Sequence, residues 1–193
     1  MTHEYDPLTQ CDDAAMSSVL ESMQSTDAIA MSALNDTLAR WPRDYRLWFL
    51  RGAIHAGQEQ HGEARTDFVQ TVTLAPEFHV ARFMLGLLEL MSGDLQVAAQ
   101  TWQPLDRLTE SDALRVLKDG LLNLGHDRFD VALEQLTRGL ALNQQHPLIN
   151  HYVRAVVEKI SGLPEVASTT ADSTVEQEHH LLLSGYQGNQ TRH

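Results

Sequence analysis

The residues that have the chemistry for metal binding or catalysis are ten histidines and one cysteine. His179 and His180 are adjacent, but no other histidine or cysteine lies at a ligand spacing on a predicted rigid element. Cys11 lies in a polar region and has no histidine partner in the sequence. We therefore predict no metal site and no cofactor. Six other histidines fall at turns or helix ends of separate segments: His55, His61, His79, His126, His146 and His151.

The motifs and composition of the chain also argue against several classes of function. No glycine-rich phosphate loop follows a predicted strand and no serine lies in a nucleophile elbow, so we predict that the protein is not an enzyme. The 193 residues carry a formal net charge of −12, which disfavours nucleic acids and anionic membranes as partners. A single cysteine forms no intrachain disulfide, and no signal peptide or membrane span is evident. These features predict a cytoplasmic protein.

The elements that would position a site are indicated by residues that recur every 34 positions. Alanines, glycines, prolines and bulky apolar residues share this spacing, which is the length of a helix–turn–helix solenoid unit. We divide the chain into units of about 11–44, 45–78, 79–112 and 113–146, with a capping helix over 147–161. The residues in register are Ala30, Ala64, Ala98 and Ala132; Gly52, Gly86 and Gly120; Leu34, Phe68, Trp102 and Leu136; Pro42 and Pro76.

Capping and breaking residues predict the ends of individual helices. Asp27 is expected to cap the second helix of the first unit, and Ser111 or Asp112 the helix that starts at Ala113. Pro104 lies inside the second helix of its unit, Leu95–Leu105, where we expect an early stop or a kink. The other predicted second helices span Glu63–Leu74 and Phe129–Leu142.

The two ends of the chain differ in composition from the repeats. Residues 1–10 are predicted to be a disordered, acidic N-terminus, and residues 162–193 a flexible polar tail. The tail contains an apolar island over 179–186. We interpret this island as a candidate linear motif for self-docking in cis or in trans, or for recruitment of another protein; the alternative is a disordered end with a few leucines. Its candidate contact residues are Leu181, Leu182, Leu183 and Tyr186.

The residues in register resemble the tetratricopeptide repeat (TPR) family, well over 45–146 and weakly over 11–44. The second unit matches the family's large, small, small, bulky and proline positions with Trp48, Gly52, Ala64, Phe68 and Pro76. The third unit has Arg82 where the large residue is expected. The resemblance implies an all-α, right-handed solenoid of about three to four helical hairpins with a C-terminal capping helix. The other matches are Leu85, Gly86, Gly93, Ala98 and Trp102 in the third unit, and Gly120, Phe129, Ala132 and Leu136 in the fourth.

In arrays of this family, the first helix of each unit lines a concave groove. The positions that bind a carboxylate in some members are apolar here, so the resemblance implies that this clamp is absent. An apolar groove would instead hold an amphipathic helix or an extended apolar peptide. The alternative is that helix packing buries some of these side chains. The implied groove residues are Phe49, Ala53, Phe83, Leu87, Leu90, Leu117 and Leu121.

These observations favour a protein–protein interaction scaffold or adaptor that binds protein partners in the groove, with a homodimer left open. The alternative is a dedicated chaperone, because small acidic chaperones of type III secretion translocators share this size, acidity and apolar groove. A weaker third interpretation is a regulatory subunit associated with a peptidase or transferase.

Overall fold

The computed structural model describes residues 10–162, and every regular element in that range is helical. The described residues divide into two compact units, with the boundary between Arg82 and Phe83. The apolar island, and all but the last residue of the predicted N-terminal segment, lie outside the described residues. The predicted domain boundaries therefore stay a prediction.

From residue 10 onward, unit 1 contains four helices and the start of a fifth. Helix α3 packs most extensively against α4, and α2 packs against both α1 and α3. A core cluster of Cys11, Val19, Leu34, Leu38 and Leu47 lies among the first three helices. The bounds are α1 Asp13–Ser22, α2 Asp27–Arg40, α3 Tyr45–Gly57 and α4 His61–Leu74.

Unit 2 begins within α5 and contains the remaining helices. Helix α8 packs against both α7 and α9. The bounds are α5 His79–Met91, α6 Leu95–Trp102, a 3-10 helix Gln103–Arg107, α7 Ala113–Leu124, α8 Phe129–Leu142 and α9 Pro147–Ser161.

The predicted helix ends agree with the structure at most positions. Helix α6 stops at Trp102 and continues as a 3-10 helix, as Pro104 predicted. Asp112 caps α7 by accepting a hydrogen bond from the Leu114 N–H at 2.9 Å. The cap of α2 was assigned to the wrong residue, because Thr26 accepts from Ile29 N while the Asp27 carboxylate accepts from Gln58 Nε2 at 3.0 Å. Helix α4 begins at His61, two residues before its predicted start.

The small and bulky residues in register face each other across each helical hairpin. A Cβ built at Gly52 would lie 2.9 Å from Phe68, one at Gly120 would lie 2.9 Å from Leu136, and one at Gly86 would overlap the indole of Trp102. Phe68 and Trp102 are fully buried, as are Ala64 and Ala98. The 34-residue period therefore reflects the close approach of the two helices in each of these hairpins. The prediction that Phe68, Trp102, Ala64 and Ala98 belong to the core is confirmed.

Replacing Gly86 with alanine is expected to lower the free energy of unfolding by about 2–3 kcal/mol, because overpacking a rigid aromatic contact costs about that much. Trp102 has little room to retreat, since its Nε1–H donates to the Phe83 carbonyl at 3.0 Å. Gly57→Ala is the matched control, because a Cβ at this helical glycine meets nothing within 4 Å. That control should be neutral or stabilising by up to about 1 kcal/mol. Urea unfolding followed by circular dichroism measures both changes; equal effects would contradict the packing argument.

Candidate protein-binding surface

The predicted groove residues fall into two groups in the structure. Phe49 and Ala53, in unit 1, are partly exposed. The other five belong to unit 2 and are buried, so the alternative of burial by helix packing holds for them in this structure. Their exposed fractions are 0% for Phe83, 1% for Leu87, 7% for Leu90, 0% for Leu117 and 0% for Leu121.

Two of these side chains make close contacts within unit 2. The Phe83 ring lies against the Trp102 indole with their centroids 5.7 Å apart. Leu117 occupies the space beside Gly139 of α8, where a Cβ would overlap it. A partner has no access to these side chains unless the unit rearranges.

The remaining candidate surface is an apolar strip on α3. Tyr45, Phe49 and Ala53 lie four residues apart on one helical face, and each is partly exposed. Phe78, also partly exposed, extends the strip with its ring edge-on to Phe49 at 4.9 Å and to Tyr45 at 5.3 Å. We call Tyr45, Phe49, Ala53 and Phe78 the α3 strip. It presents mainly aromatic and methyl surface, which suits an apolar ligand.

A polar network holds α3 in place beside the strip. The Asp67 carboxylate, 1% exposed, accepts two hydrogen bonds from Arg51, at 2.9 Å from Nε and 2.7 Å from Nη2. His55 Nδ1 lies 3.0 Å from the same carboxylate. Arg51 also donates to Asn35 Oδ1 at 2.8 Å and lies over the Trp48 ring at 4.6 Å. The network therefore joins α2, α3 and α4, and sequence reasoning missed it because these residues do not recur with the 34-residue period.

In two units, the side chain at the position where the family has a large residue donates a hydrogen bond to the backbone carbonyl of the proline six residues earlier. Trp48 Nε1–H donates to the Pro42 carbonyl at 2.8 Å. Arg82, at the same position one unit later, donates to the Pro76 carbonyl at 2.9 Å. The unexpected arginine therefore makes the same hydrogen bond as the tryptophan. The shared six-residue spacing from proline to donor is the signal that identifies this pairing in the sequence.

A second polar cluster fastens the start of α1 to the connection between α2 and α3. The Asp44 carboxylate is fully buried and accepts from the backbone N–H of Cys11 at 2.9 Å. It also accepts from the backbone N–H, Nε and Nη2 of Arg46 at 3.0, 3.0 and 2.7 Å. Burial opposes ionisation of Asp44, but the hydrogen bonds from Arg46 and Cys11 outweigh it and hold the pKa of the carboxyl below its usual value.

The same cluster makes Cys11 a poor nucleophile. Burial, with the neighbouring Asp44 carboxylate, raises the pKa of the Cys11 thiol to about 11. Among residues 10–162, no group of three or more histidine, cysteine or acidic side chains is placed to hold a metal ion. In that same range, no helix is long and apolar enough to cross a membrane.

Comparisons with known proteins agree on the fold. A family model described as tetratricopeptide repeat matches residues 28–77 and 55–103. Among solved structures, a chain described as MamA 41-end from Desulfovibrio magneticus RS-1 aligns with a TM-score of 0.55 and 15% sequence identity. The alignment covers 78% of this chain and 90% of that one.

A chain described as the MamA RS-1 ArsTM double mutant gives the same TM-score, identity and coverage. No curated protein matches the sequence. At this identity the structural likeness supports the fold alone, and the predicted all-α helical-hairpin solenoid is confirmed. The repeat model matches residues 28–103, and the resemblance to tetratricopeptide repeats is confirmed over that part of the chain.

Proposed function

We propose that this protein is an interaction scaffold and that the α3 strip binds an apolar peptide or amphipathic helix of a partner protein. Repeats of this family stack into surfaces that bind other proteins. The observation that carries the proposal is the α3 strip itself, where three successive positions on one helical face are apolar and partly exposed. A partner helix with apolar residues at matching intervals would cover them.

The surroundings of the strip favour binding without rearrangement. The Phe49 ring packs against the ring of Phe68, with centroids 5.8 Å apart, and Phe68 is fully buried. The network around Asp67 fixes the helix that carries the strip. A surface that is ordered before binding loses less conformational entropy when its partner arrives.

The alternative function, a dedicated secretion-type chaperone, needs a longer apolar groove than the α3 strip. Five of the seven groove residues implied by the family resemblance are buried, which leaves less surface for an extended client segment. The scaffold is therefore the better-supported proposal. Non-catalytic action, a cytoplasmic location and self-association remain predictions of the sequence.

Ala53→Glu tests the proposal by placing a charge in the strip without removing an aromatic contact. Because burying an unpaired carboxylate against an apolar partner is costly, we expect partner affinity to fall at least about tenfold. Ala28→Glu is the matched control, since Ala28 is exposed on α2. Affinity purification from the native cell with both variants, each checked for wild-type helicity, measures the loss. Retention of every partner by Ala53→Glu would exclude the α3 strip.

A further inference from the structure

The connection between α2 and α3 carries exposed positive charge on an otherwise acidic protein. Arg40 and Arg43 are exposed, and neither forms an ion pair within residues 10–162. No acidic residue lies between Asp36 and Asp44 in the sequence. Asp44 is fully buried and already paired with Arg46, so it neutralises neither of the exposed arginines.

Aromatic surface lies beside this charge. The Arg40 guanidinium lies 4.7 Å from the centre of the Trp41 ring, and Trp41 is partly exposed. Arginine and tryptophan are the residues most enriched at the energetic centres of protein interfaces. A guanidinium over an indole also keeps its edge N–H groups available for a carboxylate. We call Arg40, Trp41, Pro42 and Arg43 the basic corner.

Hydrogen bonds on both sides make the basic corner rigid. The Trp41 N–H donates to the Thr37 carbonyl at 2.9 Å, and the Asp44 N–H donates to the Trp41 carbonyl at 3.2 Å. Trp48 Nε1–H holds the Pro42 carbonyl at 2.8 Å. The other arginines of this region each form an ion pair with a buried carboxylate, Arg46 with Asp44 and Arg51 with Asp67. Within the described part of the chain, neither Arg40 nor Arg43 pairs with a buried carboxylate.

We propose that the basic corner is a second interaction site, separate from the α3 strip, and that it binds a short acidic segment of a partner protein. The guanidinium groups of Arg40 and Arg43, which form no ion pair within residues 10–162, match two carboxylates. The Trp41 ring matches an apolar or aromatic side chain between them. A polyanion such as RNA or an anionic membrane fits less well, because two arginines neutralise few phosphates and the whole chain carries a net charge of −12.

Binding of a dye-labelled Glu-Glu-Phe-Glu peptide to the full chain, followed by fluorescence anisotropy at low salt, tests this proposal. We expect saturable binding that the double variant Arg40→Gln/Arg43→Gln weakens at least about tenfold. Binding should also weaken as salt rises, because exposed charges are screened. The Trp41 indole N–H resonance should shift on binding, while that of Trp102, buried and bonded to Phe83, should not.

Two controls distinguish binding at the basic corner from a general effect of charge. The charge-reversed peptide Lys-Lys-Phe-Lys should not bind. Arg128→Gln/Arg138→Gln removes the same charge from two exposed positions of unit 2 and should leave peptide binding unchanged. Equal losses in both double variants would contradict the proposal, because they would indicate a response to net charge alone.

Three other results would also overturn it. One is absence of binding to every form of the protein. Another is binding that appears only after Glu4→Gln/Asp6→Asn, which would assign the basic corner to the chain's own N-terminal segment. The third is tighter binding of a single-stranded RNA oligonucleotide than of the peptide, which would assign the corner to nucleic acid. None of these results bears on the α3 strip, so the two proposals fail independently.

Discussion

Phe83→Glu is expected to abolish the cooperative unfolding transition of unit 2, or to lower its free energy of unfolding by more than about 4 kcal/mol. Phe83 is fully buried and its ring lies 5.7 Å from that of Trp102. Truncation of a buried core phenylalanine typically costs about 3–5 kcal/mol, and the contact with Trp102 is part of that loss. It also buries a carboxyl group with no partner provided for it.

Urea unfolding followed by circular dichroism measures this effect, with Val97→Glu as the control. Val97 lies on α6 in the same unit and is 38% exposed, so its replacement should change the unfolding free energy by less than about 1 kcal/mol. A Phe83→Glu protein with wild-type stability would show that Phe83 lies at the surface. It would then restore the sequence prediction that Phe83 lines an open groove.

Asp44→Ala is the second substitution with a large expected effect, a loss of about 3 kcal/mol in unfolding free energy. Removing one partner of a buried ion pair typically costs 3–5 kcal/mol, and we take the lower figure because the Arg46 side chain is 30% exposed. The backbone N–H of Cys11 also loses its acceptor. We therefore expect faster reaction of the Cys11 thiol with a thiol reagent, since the segment that buries it is released.

Asp12→Ala is the matched control for this substitution. Asp12 also caps a helix, accepting from Ala15 N at 2.8 Å, but it is exposed. Loss of an exposed cap costs about 0.5–1 kcal/mol and should leave Cys11 protected. If Asp44→Ala behaved like Asp12→Ala in both measurements, the buried cluster would contribute no more than an ordinary cap.

The contribution of Asp44 should depend on pH in one direction. Its pKa is lower in the folded protein than in the unfolded chain, so the folded state favours the ionised carboxylate. The resulting stability is fully present above about pH 4, the ordinary range of an aspartate, and is lost as pH falls through the folded pKa. The stability difference between wild type and Asp44→Ala should therefore be constant near neutral pH and shrink in acid.

The sequence predicted the helices and their close contacts because both follow from local patterns. Gly86 and Trp102 lie 16 residues apart, as do Gly52 and Phe68, and each pair meets across its hairpin. The cap of α2 was missed because Thr26 and Asp27 are both good capping residues in adjacent positions. Which of two such neighbours acts as the cap is decided by the backbone geometry at the start of the helix.

The candidate surface was predicted less completely. Phe49 and Phe83 occupy equivalent positions in successive units, yet one is partly exposed and the other is buried. Burial of a side chain depends on which other residues pack over its helix, and the 34-residue repeat pattern does not predict those contacts. The basic corner was missed because its two arginines and Trp41 do not recur with the 34-residue period. Its charge is evident only after Arg46 is seen to pair with the buried Asp44.

Site-specific photo-crosslinking at position 53 reports whether a partner protein binds on the α3 strip. The photoreactive residue p-benzoylphenylalanine would replace Ala53 in one protein and Ala28 in another, and both would be irradiated in the native cell. Because Ala53 lies within the strip and Ala28 is exposed on α2, we expect a discrete adduct with a partner protein from position 53 alone. No adduct from position 53, or the same adduct from both positions, would contradict it.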